Sequence, residues 1–167
     1  SGKTTMVLES LIPGLEAKLN GEHLPGHVKS ITAEGIAHVK LIDASPIGIN
    51  VRSTVATYAN VHDELRKIYA KTADVPCPEC GGSRYAREAW EICYENKQGM
   101  RYSLPQMMEM DVTTALQATQ EWKVVHQRLE VLKNLGLGYL TLGEETPSLS
   151  GGEAQRLKLA SEMGKGQ

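Results

Sequence analysis

Apolar residues Val7, Leu8, Leu11, Ile12, Leu15 and Leu19 recur at helical spacing, which predicts a helix near the start of the chain with a kink at Pro13. Residues 20–30 are polar and punctuated by Gly and Pro, and so read as loop. His38-Val39-Lys40-Leu41-Ile42 reads as a strand ending at Asp43, followed by a turn at Ser45-Pro46-Ile47-Gly48. Val61, Leu65, Ile68 and Tyr69 mark one face of a short helix. Trp90, Ile92 and Tyr94 alternate, predicting a strand with Cys93 on its other face and a turn at Glu95-Asn96-Lys97-Gln98-Gly99. Ser103 with Gln106, and Asp111, have the form of helix N-caps. A long helix over residues 113–134 is expected to stop at Gly136, and a last helix to start just after Ser150.

Composition narrows the class. The 167 residues suffice for one domain or two small ones, and 41% hydrophobic with 23% charged residues is ordinary for a globular protein. Phe is absent, so the core must rest on Leu, Ile, Val and Met with a few Trp and Tyr; Met107, Met108 and Met110 read as core filling. A net charge of −2 gives no global attraction for nucleic acid, so any such contact must be local. No apolar run reaches a membrane span and no signal-peptide pattern is present, which makes a cytoplasmic protein the expectation. Cys77, Cys80 and Cys93 cannot all pair with one another, and the Cys-x-x-Cys spacing points to metal or redox chemistry instead of a disulfide framework.

Two stretches carry phosphate chemistry. Gly2-Lys3-Thr4-Thr5 matches the end of the Gly-x-x-x-x-Gly-Lys-Ser/Thr loop, whose backbone N–H groups cradle phosphates at a helix N-terminus. There Lys3 would reach the β- and γ-phosphates and the Thr4 hydroxyl would ligate Mg²⁺. The motif is short, and an ordinary solvated lysine before a helix is the alternative. Leu149-Ser150-Gly151-Gly152-Glu153-Ala154-Gln155-Arg156 is more specific. Ser150 can cap a helix and offer a hydroxyl, while Gly151 and Gly152 admit a phosphate to bare backbone.

That octamer resembles the signature sequence of ABC-type ATPases. The longer strings "IDASPIGINVRSTVATYANVHDELRKIYA", "PCPECGGSRYAREAWEICY" and "LKNLGLGYLTLGEETPSLSGGEAQRLKLASE" resemble the UvrA family of bacterial nucleotide excision repair, over essentially the whole chain and in the C-terminal ATPase half. The resemblance implies an α/β fold: a partial P-loop ABC-type ATPase domain with an inserted α+β signature domain bearing a Cys-x-x-Cys knuckle. It divides the chain into an ATPase part over 1–60, the inserted region over 61–148 and the signature helix over 149–167. It implies ATP with Mg²⁺ as ligand, Gly2, Lys3, Thr4, Thr5, Ser150, Gly151, Gly152 and Glu153 as nucleotide-binding residues, and a signature that closes over ATP held by a second nucleotide-binding domain. It also implies a homodimeric parent working with other excinuclease subunits on DNA. Arg52, Ser53, Arg84 and Arg87 are the candidate phosphate-backbone contacts, with solvated surface residues as the alternative.

Several positions depart from the family pattern. The resemblance puts the Walker B aspartate, the catalytic carboxylate and the switch histidine after residue 167, so no catalytic residue is assigned within the chain and hydrolysis by it alone is not expected. UvrA sequences usually carry Gln where this chain has Ala44, at the position that senses the γ-phosphate, which points to a divergent paralogue or altered coupling. The family's zinc module has two Cys-x-x-Cys pairs, and only Cys77 and Cys80 are present; the first would fall between Ala70 and Val75. Structural zinc takes four ligands, and Cys93 reads as a buried thiol unless its strand folds back onto the knuckle. Two rival readings are a zinc-knuckle interaction module without catalysis and an ABC ATPase outside repair.

Overall fold

The computed structural model describes residues 2–43, 45, 47, 53–73 and 88–164. The chain divides into two compact units, Ser1–Asp43 and Ala44–Gln167.

The first unit is one long helical run followed by irregular chain. Helix α1 (Gly2–Thr5) passes through a wide π-type stretch, Met6–Leu11, into α2 (Ile12–Asn20). Pro13 falls inside this continuous run, just after the wide stretch, where its lack of an N–H removes one bond from the helical ladder. The run stops at Gly21, whose φ of 72° is the left-handed cap geometry. Of the apolar stripe, Val7, Ile12, Leu15 and Leu19 are half-buried and Leu8 and Leu11 stay exposed; the buried residues of α2 are Gly14 and Ala17. The strand expected at His38–Ile42 does not form: these residues are irregular. A strand needs a partner for its ladder, and no other strand is found in the described part of this unit.

The second unit is mainly helical around a small hairpin. Its elements are α3 (Val55–Tyr58), α4 (Val61–Ala73), α5 (Glu88–Glu91), β1 (Cys93–Glu95), β2 (Arg101–Ser103), α6 (Leu104–Glu109), α7 (Val112–Ala118), α8 (Lys123–Leu132) and α9 (Gly151–Met163). Its core joins Val55, Val61 and Leu65 to Met107, Met108, Val112, Leu129, Leu132, Leu142 and Leu157, so Met107 and Met108 fill the interior as the sequence suggests, while Met110 is half-buried against it. Trp90 falls on α5, not on the expected strand, which shortens to Cys93–Glu95. β1 and β2 pair antiparallel with Tyr94 opposite Tyr102. Asn96 closes the turn: its side-chain oxygen accepts the N–H groups of Gln98 at 3.0 Å and Met100 at 2.9 Å.

The anticipated caps form. Ser103 and Gln106 make a reciprocal capping box, and Asp111 Oδ1 accepts the Thr114 N–H at 2.7 Å. The long helix expected over 113–134 is instead broken between α7 and α8. Thr119 turns its hydroxyl back onto the Ala115 carbonyl at 2.7 Å, which ends α7 and competes with helix continuation. The break lets Trp122 meet Tyr94 and Tyr69, with ring centroids 4.6 and 6.1 Å away. After α8 the chain turns at Gly136, φ 75°, close to the expected stop.

Residues 138–146 then act as a seam. On one side Val112 N–H donates to Leu140 O, Leu142 N–H to Met110 O and Gly143 N–H to Met108 O. On the other, Ala56 N–H donates to Leu142 O, Val55 N–H to Glu144 O and Thr146 N–H to Ser53 O. Gly143 is required by closeness, since a Cβ there would sit 2.9 Å from the Met108 carbonyl oxygen. This seam delivers the chain to the start of α9. None of the helices among the described residues is long and apolar enough to cross a membrane.

Candidate nucleotide-binding surface at the signature helix

Helix α9 begins at Gly151 and packs on α8 and α3 through Ala154, Leu157 and Ala160, which fixes its axis in the core. Its N-terminus faces solvent, because Gly151 and Gly152 are exposed. Ser150 is the N-cap. Its Oγ accepts the Glu153 N–H at 3.3 Å, and Glu153 Oε2 accepts the Ser150 N–H at 2.7 Å. The serine oxygen is thus used as an acceptor, and its O–H proton is left as a donor at the positive end of a 13-residue helix. That is the polarity a phosphate oxygen requires.

The two glycines have no internal reason to be glycine. Neither has a positive φ, and a Cβ built on either would meet nothing within 4 Å. Both lie in the first turn of a helix, where Gly weakens the helix relative to Ala. The absent side chains leave a bare patch of backbone N–H beside the Ser150 hydroxyl.

Tyr139 reaches this cap from the seam. Its hydroxyl donates to Glu153 Oε1. Hydrogen bonds from Tyr139 and then from Ser150 hold the Glu153 carboxyl below its usual range, with the nearby Arg156 charge acting in the same direction. The Tyr139 phenol is pushed up in return, chiefly by that bond to Glu153. Both Glu153 oxygens are therefore committed within the chain. Further along α9, Lys158 Nζ donates to the Ser45 carbonyl and, at 2.8 Å, to Ser45 Oγ, so Ser45 is tied to this helix.

The remaining predicted residues are placed as follows. Gly2, Lys3, Thr4 and Thr5 occupy the exposed first turn of α1, in the first unit. Ser53 is half-buried and its carbonyl anchors Thr146. Arg52, Arg84, Arg87, Cys77, Cys80 and Ala44 lie outside the described residues. Cys93 is partly buried, its Sγ 4.0 Å from the Trp90 carbonyl oxygen. No cluster of three or more His, Cys, Asp or Glu able to hold a metal occurs among the described residues. Sequence reasoning missed Tyr139, Lys158 and Ser45, since contacts spanning 14 and 113 positions leave no local pattern.

A serine-capped, glycine-opened helix is what an ABC-type ATPase signature would look like, and the class that these features define can be compared with known proteins. UvrABC system protein A of Clostridium tetani is 33% identical over 207 aligned positions, covering 99% of this chain and 22% of that protein. The same-named proteins of Streptococcus pneumoniae and Thermus thermophilus are 34% and 32% identical, again over 99% of this chain. The crystal structure of UvrA2 from Deinococcus radiodurans superposes with a TM-score of 0.60 at 30% identity, covering 72% of this chain and 19% of that one. No protein-family model matches. The chain belongs to the UvrA family. It spans about a fifth of the length of the curated relatives it matches. The 207 aligned positions exceed its 167 residues, so at least 40 positions of the Clostridium relative have no counterpart here.

Proposed function

We propose that this chain supplies the signature half of a composite ATP site in a DNA-repair ATPase of the UvrA kind. The observation that carries the reading is the pair of glycines at the α9 N-terminus, which nothing among the described residues requires. Ser150 would donate its hydroxyl, and Gly151 and Gly152 their backbone, to the terminal phosphate of a nucleotide held by a second nucleotide-binding domain. Gly2, Lys3, Thr4 and Thr5 would cradle the phosphates of a different nucleotide, with the Thr4 hydroxyl toward Mg²⁺. Glu153 serves the site through the cap, since both its oxygens are occupied.

The test separates stability from binding. Gly151→Ala and Gly152→Ala should leave the fold intact or strengthen it, by up to about 1 kcal/mol each, because Ala is the better helix former and space is free. The same variants in the intact protein should lose ATP hydrolysis by an order of magnitude or more while the first phosphate-binding loop still takes up nucleotide. Unchanged turnover in both would remove the signature reading.

Contact with DNA and with other excinuclease subunits is proposed from the relatives' membership of the UvrABC system. Ser53, with Arg52, Arg84 and Arg87, would hold phosphates without reading bases. DNA affinity of the intact protein should fall steeply with salt, and Arg84→Ala with Arg87→Ala should flatten that slope by about one each. Zinc fits this chain only in part. Cys77 and Cys80 give two thiolates where a structural site takes four ligands, so a zinc-bearing parent must draw further ligands from elsewhere.

A further inference from the structure

Tyr139 is oddly placed for an aromatic residue. Its neighbours are tied down: Leu137 is fully buried, Leu140 is 93% buried by its 7% exposure, and Thr113 holds the Gly138 carbonyl through both its N–H and its hydroxyl at 3.0 Å. The backbone on either side of Tyr139 is thus clamped to the start of α7. The ring itself remains 62% exposed, so little apolar burial explains it. What the residue does make is the hydroxyl contact to Glu153 Oε1, across 14 positions of sequence, with Arg156 of the same helix also against its hydroxyl. Glu153 in turn grips Ser150 from both directions, accepting its N–H at 2.7 Å and donating its own N–H to the serine oxygen at 3.3 Å.

Resting on the nucleotide reading above, we infer that Tyr139 is a positioning residue for the composite site: through Glu153 it fixes the Ser150 hydroxyl in the orientation that meets the terminal phosphate. Without the tyrosine hydroxyl, one carboxylate oxygen loses its donor and the Glu153 side chain can leave the cap. Ser150 Oγ is then free to sample rotamers in which its proton points away from the phosphate. A side chain whose geometry matters in the transition state affects turnover more than ground-state binding.

The experiment uses the intact protein and a mutant cycle at saturating ATP. Tyr139→Phe should lower kcat about three- to tenfold with little change in KM, Glu153→Gln should do likewise, and the double variant should be no slower than the worse single one. Thermal unfolding of Tyr139→Phe should fall only slightly below the parent, since the hydroxyl's bond to Glu153 is solvent-exposed. Ser150→Ala is the control on the site itself. If Ser150→Ala abolishes turnover but Tyr139→Phe does not change it, or if the Tyr139 and Glu153 effects multiply independently, the Tyr139 assignment is overturned and the nucleotide site stands. If Ser150→Ala has no effect, the site reading fails and the Tyr139 assignment falls with it.

Discussion

At the scale of single residues, this chain is governed by side chains that satisfy helix ends. Ser103, Asp111 and Ser150 were readable in the sequence because capping is a local rule, with donor and acceptor three positions apart. Ser103→Ala should cost about 1 kcal/mol in urea unfolding, the usual value of a lost N-cap. Two titrating groups add pH dependence. The Glu153 carboxyl is held low by Tyr139 and Ser150, so its contribution is present at neutral pH and is lost as pH falls below about 4.5 and through the folded value. The stability gap between the parent and Glu153→Gln should therefore close on acidification. His62 behaves through burial: desolvation, then Arg66, lowers its pKa, with Asp63 opposing. Its charged form is disfavoured by the fold, so stability falls as pH drops below 6.5, and His62→Gln should remove that part of the acid sensitivity. Tyr139 and Lys158 were illegible, because no rule of spacing links a residue to a partner that tertiary packing brings close.

At the scale of elements, periodicity located the helices better than it located their interruptions. Val61, Leu65, Ile68 and Tyr69 do share a face of α4, whose Leu65 is fully buried. The pattern over 113–134 continued smoothly across Thr119, yet the structure breaks there, because placing Trp122 among Tyr69 and Tyr94 outweighs one more helical turn. The strand read at His38–Ile42 failed for a related reason: a short apolar run proposes a strand, but only a neighbouring strand completes one. The glycines sort by what surrounds them. Gly136→Ala should destabilise by about 1 kcal/mol from its positive φ alone, since no atom lies within 4 Å. Gly143→Ala should cost more, because its Cβ would press a backbone carbonyl that is already hydrogen-bonded to Gly143. Leu157→Ala, at a fully buried position of α9, should cost about 2–5 kcal/mol by calorimetry or denaturant.

At the scale of the molecule, α9 packs into the same core as the elements before it. Ala154, Leu157 and Ala160 share a core with Val55, Leu65 and Met107. The family was legible in long strings of sequence, while the proposed phosphate surface rests on one octamer. It was silent on how that surface is supported, since the support runs through the seam at residues 138–146. The seam also bears on biosynthesis. A ribosome releases α3, the hairpin, α6 and α7 well before it releases Leu140 to Thr146, the segment whose backbone joins them. Contacts of such long sequence separation are slow to close. The nascent chain should therefore stay protease-sensitive until the seam and α9 have both emerged, then harden abruptly. Stalled chains ending at residue 138 and at residue 164, compared by limited proteolysis, should show that step.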